Sequence, residues 1–346
     1  MTTKVSPALQ TFNAGKNILI NSNFDIWQRG VTSTANGYTC DKWKDANSGG
    51  TKIITRETFT LGQTDVPNNP KYFHRTDITI ATTEINEHIN FQQRIESVEE
   101  LAGESITASF WAKANTTKDI AFEMSQSFGT GGSPSASVNE IAVTTISLTS
   151  SWQKFEINAT IPSISGKTLG TDNNNFLRLR LWYAAGSNFD ARTNSLGHQT
   201  GTFDVAQLKL EKGATATPYA NRPIAEELAL CQRYFEKSYN LETPVGSITL
   251  EGILYFRQDR ISTTNASARQ TNAQTNFKVT KRAIPTMIGY NCDTGTAGQV
   301  RTTADDNYTI DAFVGVGQHG FPSLDTTASV DANKTFQLHW TADAEL

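Results

Sequence analysis

Residues 176–183, FLRLRLWY, alternate in a way that would arm one surface of a β-strand. Leu177, Leu179, Leu181 and Tyr183 point one way, and Phe176, Arg178, Arg180 and Trp182 the other. A flat aromatic ring beside guanidinium donors suits a pyranose, because sugar C–H faces stack on rings and hydroxyls accept from planar forks. Arg178, Arg180 and Trp182 are therefore the expected carbohydrate platform. A second polar strip runs through residues 84–94, where Glu84, Asn86, His88, Asn90, Gln92 and Arg94 alternate with Ile85, Glu87, Ile89, Phe91 and Gln93. It would line the other side of a groove or meet a neighbouring subunit. The competing reading of both rows is a solvated or interface face held by cross-strand pairs, with no ligand.

Catalytic constellations are not signalled. His74, His88, His198, His319 and His339 show no metal-binding spacing. The adjacent carboxylates Glu99–Glu100, Glu226–Glu227 and Asp305–Asp306 are sequence neighbours, which point apart on a strand and flank each other on a helix, so none is a ready acid/base pair. No nucleophile elbow or phosphate-binding loop occurs, and GTGG at 129–132 follows no strand-to-helix transition. The expectation is a protein that binds rather than an enzyme.

These residues sit in a chain of 346 residues, 37% hydrophobic and 18% charged, rich in Thr, Ser, Asn and Gly. That balance suits many short strands joined by polar turns, and the length suits two domains. A net charge of −4 gives no basic excess for nucleic acid. Cys40, Cys231 and Cys292 lie too far apart for a close-paired zinc site and are odd in number, so buried free thiols are expected. No apolar run is long enough to cross a membrane and the first residues lack a signal-peptide core, so synthesis in a cytoplasm without secretion is expected.

Residues 105–113 and 153–161 alternate cleanly, placing Ile106, Ala108, Phe110 and Ala112, and Phe155, Ile157, Ala159 and Ile161, inward. Residues 120–125 and 203–211 are similar, the latter with a phase slip near Gln207 that predicts a bulge. Long Gly- and Asn-rich loops fall at 129–135 and 169–175. A helix is expected over 222–239, with Pro223 at its first position, Glu226 and Glu227 in its first turn, and Leu228, Cys231, Tyr234 and Phe235 on one face. The predicted organisation is an arm at 1–16, a β domain at 17–222, a connecting helix at 223–239 and a smaller β domain at 240–346.

Several segments in one order resemble the tail-fibre proteins of bacteriophages and prophages. They are NILINSNFDIWQRG (17–30), YTCDKW (38–43), FQQRIESVEELAGESITASFWAK (91–113), TSSWQKF (149–155), FDVAQLKLEKGATATPYANRP (203–223), ELALCQRYFEKSY (227–239) and the closing KTFQLHWTADAEL. The N-terminal half of that family also resembles jelly-roll carbohydrate-binding modules. The resemblance implies an all-β fold, a jelly-roll β-sandwich followed by a connecting helix and a smaller C-terminal β-sandwich. It implies a virion appendage that binds host surface glycan, docks other virion proteins through its N-terminal arm, and assembles as a homotrimer. In the resembling modules the junction of first and last strands often holds a structural calcium ion, a place matched here by Asn23, Asp25 and Asp204. Residues 17–24 are expected to pair with 203–211. The alternatives are a capsid decoration protein anchored by its arm and, less favoured, a polysaccharide depolymerase.

Overall fold

The computed structural model describes residues 15–257, 268–270, 274–327 and 334–346. Most of the expected docking arm, residues 1–14, lies outside the described residues. The chain divides into two compact units: residues 31–222 with the stretch ending at Asp25 and with Leu346, and residues 26–30 with 223–345.

The first unit is a jelly-roll β-sandwich. Its strands are β1 (Thr32–Ser33), β2 (Gly37–Tyr38), β3 (Trp43–Ser48), β4 (Thr51–Thr58), β5 (Tyr72–Ile80) and β6 (His88–Glu96). They continue with β7 (Ser105–Ala114), β8 (Lys118–Ser127), β9 (Val138–Leu148), β10 (Gln153–Thr160), β11 (Phe176–Ala185) and β12 (Gly201–Lys212). One antiparallel sheet runs β1-β4-β5-β12-β7-β10 and the other β2-β3-β6-β11-β8-β9. For brevity they are the β12 sheet and the β11 sheet.

Strand alternation explains what lies between them. On β7 the expected inward set, Ile106, Ala108, Phe110 and Ala112, is buried, and on β11 Leu177, Leu179 and Leu181 are fully so. Aromatic rings bridge the layers: Phe91 of β6 stacks on Trp43 at 4.6 Å and on His74 of β5 at 3.9 Å, while Tyr183 of β11 stacks on Phe203 of β12 at 4.9 Å. Burial pushes the Tyr183 phenol far above its ordinary range. Cys40, Cys231 and Cys292 are free and buried, as their spacing implied.

The phase slip near Gln207 is a bulge. The register of β12 against β7 shifts between Ala206 and Lys209, and Gln207 adopts φ +48°. Beyond it β5 no longer pairs with β12, and residues 17–22 take the vacated edge: Ile18 N–H donates to Leu210 O and Leu208 N–H to Ser22 O. The expected neighbours therefore meet, but 17–24 is not a β-strand. The reason is that the Asn17 side chain replaces backbone rungs, its amide donating to Leu208 O and its Oδ1 accepting from Leu210 N–H.

The second unit carries α2 (Ile224–Gln232), which follows the short α1 (Asp190–Thr193) of the first. Its strands are β13 (Phe235–Lys237), β14 (Leu254–Arg257), β15 (Ala268–Gln270), β16 (Thr275–Asn276) and β17 (Thr286–Asn291). Then follow β18 (Gln299–Thr302), β19 (Asn307–Val314), β20 (Gly320–Phe321), β21 (Ser323–Thr326) and β22 (Thr335–Asp343). β22 is the hub, pairing with β13, β14, β17 and β18 over a core that includes Phe256, Phe336, Leu338 and Trp340. The helix expected to reach residue 239 ends at Gln232, because Phe235–Lys237 pair with Thr341–Asp343 instead. It belongs to this unit and is not a free connector. Residues 26–30 join the same unit: Gln28 donates to Phe235 O, and the buried Lys237 ammonium donates to Gln28 O, Leu241 O and Thr243 O.

Phe91 touches both sheets through its stacked neighbours, so its removal leaves a cavity that no single strand can close. Phe91→Ala is expected to cost about 3–5 kcal/mol, measured as a lower urea midpoint for the jelly-roll unit.

Candidate functional site: the polar face of the β11 sheet

β11 lies between β6 and β8, and its register sets which side chains share the outer face. Arg178 is opposite Arg94 and Ser125, Arg180 opposite Gln92 and Glu123, and Trp182 opposite Asn90 and Ala121. The two polar rows read from the sequence thus lie side by side in one sheet.

At the centre of the face is Glu123, whose side chain has no exposed surface. Its Oε2 accepts from Arg180 Nη1 at 3.2 Å, Trp182 Nε1 at 3.1 Å and Arg192 Nη2 at 2.9 Å. Its Oε1 accepts from Arg192 Nε at 2.7 Å and from the Glu140 backbone N–H at 3.2 Å. The Gln92 carbonyl oxygen in turn accepts from Arg178 Nη1 and from Nε and Nη2 of Arg180. Burial lowers the Arg180 guanidinium well below its ordinary value, Arg178 adds to the effect, and Glu123 opposes it.

Two rings on β11 each carry two guanidinium groups. Arg180 lies 4.4 Å and Arg192 5.1 Å from the Trp182 ring centre. Arg94 lies 4.7 Å and Arg178 5.0 Å from that of Phe176. At the edge of the row, Leu346 O accepts from Arg94 and from the Tyr38 hydroxyl.

The expected platform needs correction in depth. Trp182 is 1% exposed and Arg180 5%, because Phe189 and Leu196, on the segment that carries α1, pack over Trp182, Ala121 and Ala185. A pyranose cannot stack on a ring that is already covered. Arg178 and Arg94 remain half-buried at the surface of the same row, with Trp182 and Arg180 supporting them from within. Sequence reading missed Glu123 and Arg192. Glu123 is one polar residue in a strand otherwise read as ordinary, and Arg192 lies in a four-residue helix with no periodic signal.

The calcium set does not fit its neighbours. Both oxygens of Asp204 are held by Arg75, at 2.7 and 2.8 Å, with Lys113 Nζ at 3.8 Å. A cation there would stand beside two positive charges. Asn23 donates to Asp25, whose carboxyl is raised by burial against the opposing pull of that hydrogen bond. Among the described residues no three His, Cys, Asp or Glu side chains converge on a metal-sized space.

No protein-family model matches the sequence. No curated protein matches it either. Among solved structures it is similar to a family 4 carbohydrate-binding module, with 18% identity over 56% of this chain and 98% of that one and a TM-score of 0.32. It is similar to the CBM22-1 xylan-binding domain of Xyn10C from Paenibacillus barcinonensis, at 11% identity, 59% and 99% coverage and a TM-score of 0.34. It is also similar to the enzymatically active domain of tailspike protein 4 of bacteriophage CBA120, at 14% identity, 60% and 22% coverage and a TM-score of 0.32. At such values no binding or assembly property passes from them to this chain.

Chemically, the face offers donors and rings. Glu123 has both oxygens engaged by fixed donors, so it is placed to hold Arg180 and Arg192. The outer face of the β12 sheet carries a separate cleft of about 290 Å³, lined among others by Trp111, Lys154, Gln207 and Tyr219.

Glu123→Gln leaves Arg180 and Arg192 without their counter-charge and is expected to cost about 3–5 kcal/mol in urea unfolding. His88 gives a pH signature. Burial, then Arg180 and Arg192, push its imidazole down from 6.5 to about 4, and its ring stands edge-on to Trp182 and Phe189. The unfolded chain then binds the proton more readily, so stability is full above the unfolded value and declines as pH falls from about 6.5 to about 4. His88→Gln is expected to flatten that part of a stability-versus-pH curve.

Proposed function

We propose that this protein is a virion appendage, a phage tail fibre or a capsid-mounted fibre, that attaches to host surface carbohydrate through the outer face of its β11 sheet. The observation that carries this reading is a row of polar groups left incompletely satisfied on one face. Arg94 Nε and Arg178 Nε, on side chains that remain half-buried at the surface, have no hydrogen-bond partner, and Asn90 Oδ1 and His88 Nδ1 are likewise unpaired beneath the covered end of the row. Buried polar atoms are ordinarily paired, and the two unpaired guanidinium nitrogens at the open end are where a hydroxyl-rich ligand would extend the network. The tail-fibre resemblance of segments spread along the whole chain supports the virion setting.

In this reading the protein performs no bond chemistry. It docks other virion proteins through residues 1–16 and works as a homotrimer, in which three weak sites on one particle raise net binding well above any single one. Arg178 is the probe residue. Trp182 is a poor one, since truncating a covered ring damages the fold and the face together.

A glycan array is the test. The expected result is binding to at least one host surface glycan by wild-type protein and a roughly tenfold weaker signal for Arg178→Ala, with an unchanged melting curve. Equal signals from the two proteins would remove this face as the site. Labelling the protein on intact particles and finding it away from both tail and capsid would remove the appendage reading.

A further inference from the structure

The arginines of this face outnumber the carboxylates that hold them. Arg180 and Arg192 share Glu123. Arg94 and Arg178 are in ion pairs with no Asp or Glu side chain among the described residues. Arg178 meets the neutral Gln92 amide, Arg94 meets an oxygen of the terminal residue Leu346, and both lie against Phe176. Stacking and a neutral amide steady the Arg178 guanidinium without cancelling its charge.

The surplus charge acts on its neighbours. Arg178 is pushed down to about 10, by burial first and then by Arg94 and Arg192. His88, on the same face, is depressed by burial and then by Arg180 and Arg192. Positive groups are therefore crowded together away from bulk water, where screening is weak. A protein that needed these side chains only for packing would gain by replacing one of them with a neutral residue.

We propose that the saccharide bound on this face is acidic, carrying a carboxylate or a phosphate group that lies against Arg178 and Arg94. The inference rests on the reading of the β11 sheet as a glycan site and adds the charge class of the sugar. Planar guanidinium forks match two-oxygen anions, and the half-buried position strengthens each contact relative to open solvent. The anion supplies the hydrogen-bonded counter-charge that Arg178 lacks on the sheet, so binding and charge compensation are one event. Neutral sugars would meet the same donors without that gain.

The experiment uses the full chain on an array of matched glycan pairs, each acidic glycan beside its neutral form. The pairs are sialylated and desialylated oligosaccharides, uronate polymers and their carboxyl-reduced products, and phosphorylated and dephosphorylated lipopolysaccharide cores. The expected result is a preference of roughly tenfold or more for one acidic member over its neutral partner, weakening from low to high salt. That preference should be lost in Arg178→Gln and in Arg94→Gln and partly kept in Arg178→Lys, which retains charge without the fork. Which pair responds distinguishes carboxylate from phosphate. Equal binding to both members of every responding pair overturns the acidic-sugar inference and leaves the glycan reading intact. Binding to no member of any pair, acidic or neutral, overturns both. If Arg178→Gln fails to fold, Arg94→Gln and the salt dependence of the wild type carry the same decision.

Discussion

A carboxylate removed from water persists as an ion only where fixed donors take up its lone pairs, and Glu123 imposes that demand on the β11 sheet. Arg180 and Trp182 answer it from the neighbouring strand, and Arg192 answers it from the helix that follows β11. The segment after β11 is thus drawn back over the sheet by charge as much as by the apolar contacts of Phe189 and Leu196. Covering Trp182 is the consequence. What stays at the surface, Arg94 and Arg178, is what the central carboxylate does not hydrogen-bond.

The alternation of residues 176–183 makes the two sides of β11 readable in the sequence, because successive strand side chains must point apart. Leu177, Leu179 and Leu181 went inward, and Arg178, Arg180 and Trp182 outward. Alternation carries no information about depth, however. Whether an outward residue is wet depends on what folds across it, and residues 187–196 have no period of their own. Asp204 failed as a calcium ligand for a related reason: Arg75, which occupies it, is 129 residues away in sequence. The short reach of α2 has the same origin. Nothing local ends a helix at Gln232; the pairing of β13 with the far end of the chain does.

Residue-level irregularity was more legible than strand identity. The phase slip at Gln207 showed itself because a single extra residue flips every later side chain to the other face. The structure spends that slip at the place where β5 leaves β12, and residues 17–22 fill the edge so created. Their backbone is irregular, yet the ladder is completed by the Asn17 side chain, which presents a donor and an acceptor as a peptide unit does. An exposed β12 edge would otherwise invite pairing with another chain. The Asn-rich opening of the fold is therefore an edge guard as well as a chain entry.

A ligand face built on a sheet behaves differently from one built on loops. Arg178 and Arg94 stand on adjacent strands whose hydrogen bonds fix their separation, and stacking on Phe176 limits the sweep of both guanidinium groups. Little conformational entropy remains to be lost on binding, so affinity would come from few contacts at low ordering cost. Under the proposed reading, the same rigidity would keep the face from adapting to an unrelated sugar. A narrow, preorganised contact would then suit a particle that presents several copies, because multivalency multiplies modest affinity while each copy keeps its discrimination. Looser loops with the same arginines would hold more ligands and distinguish fewer of them.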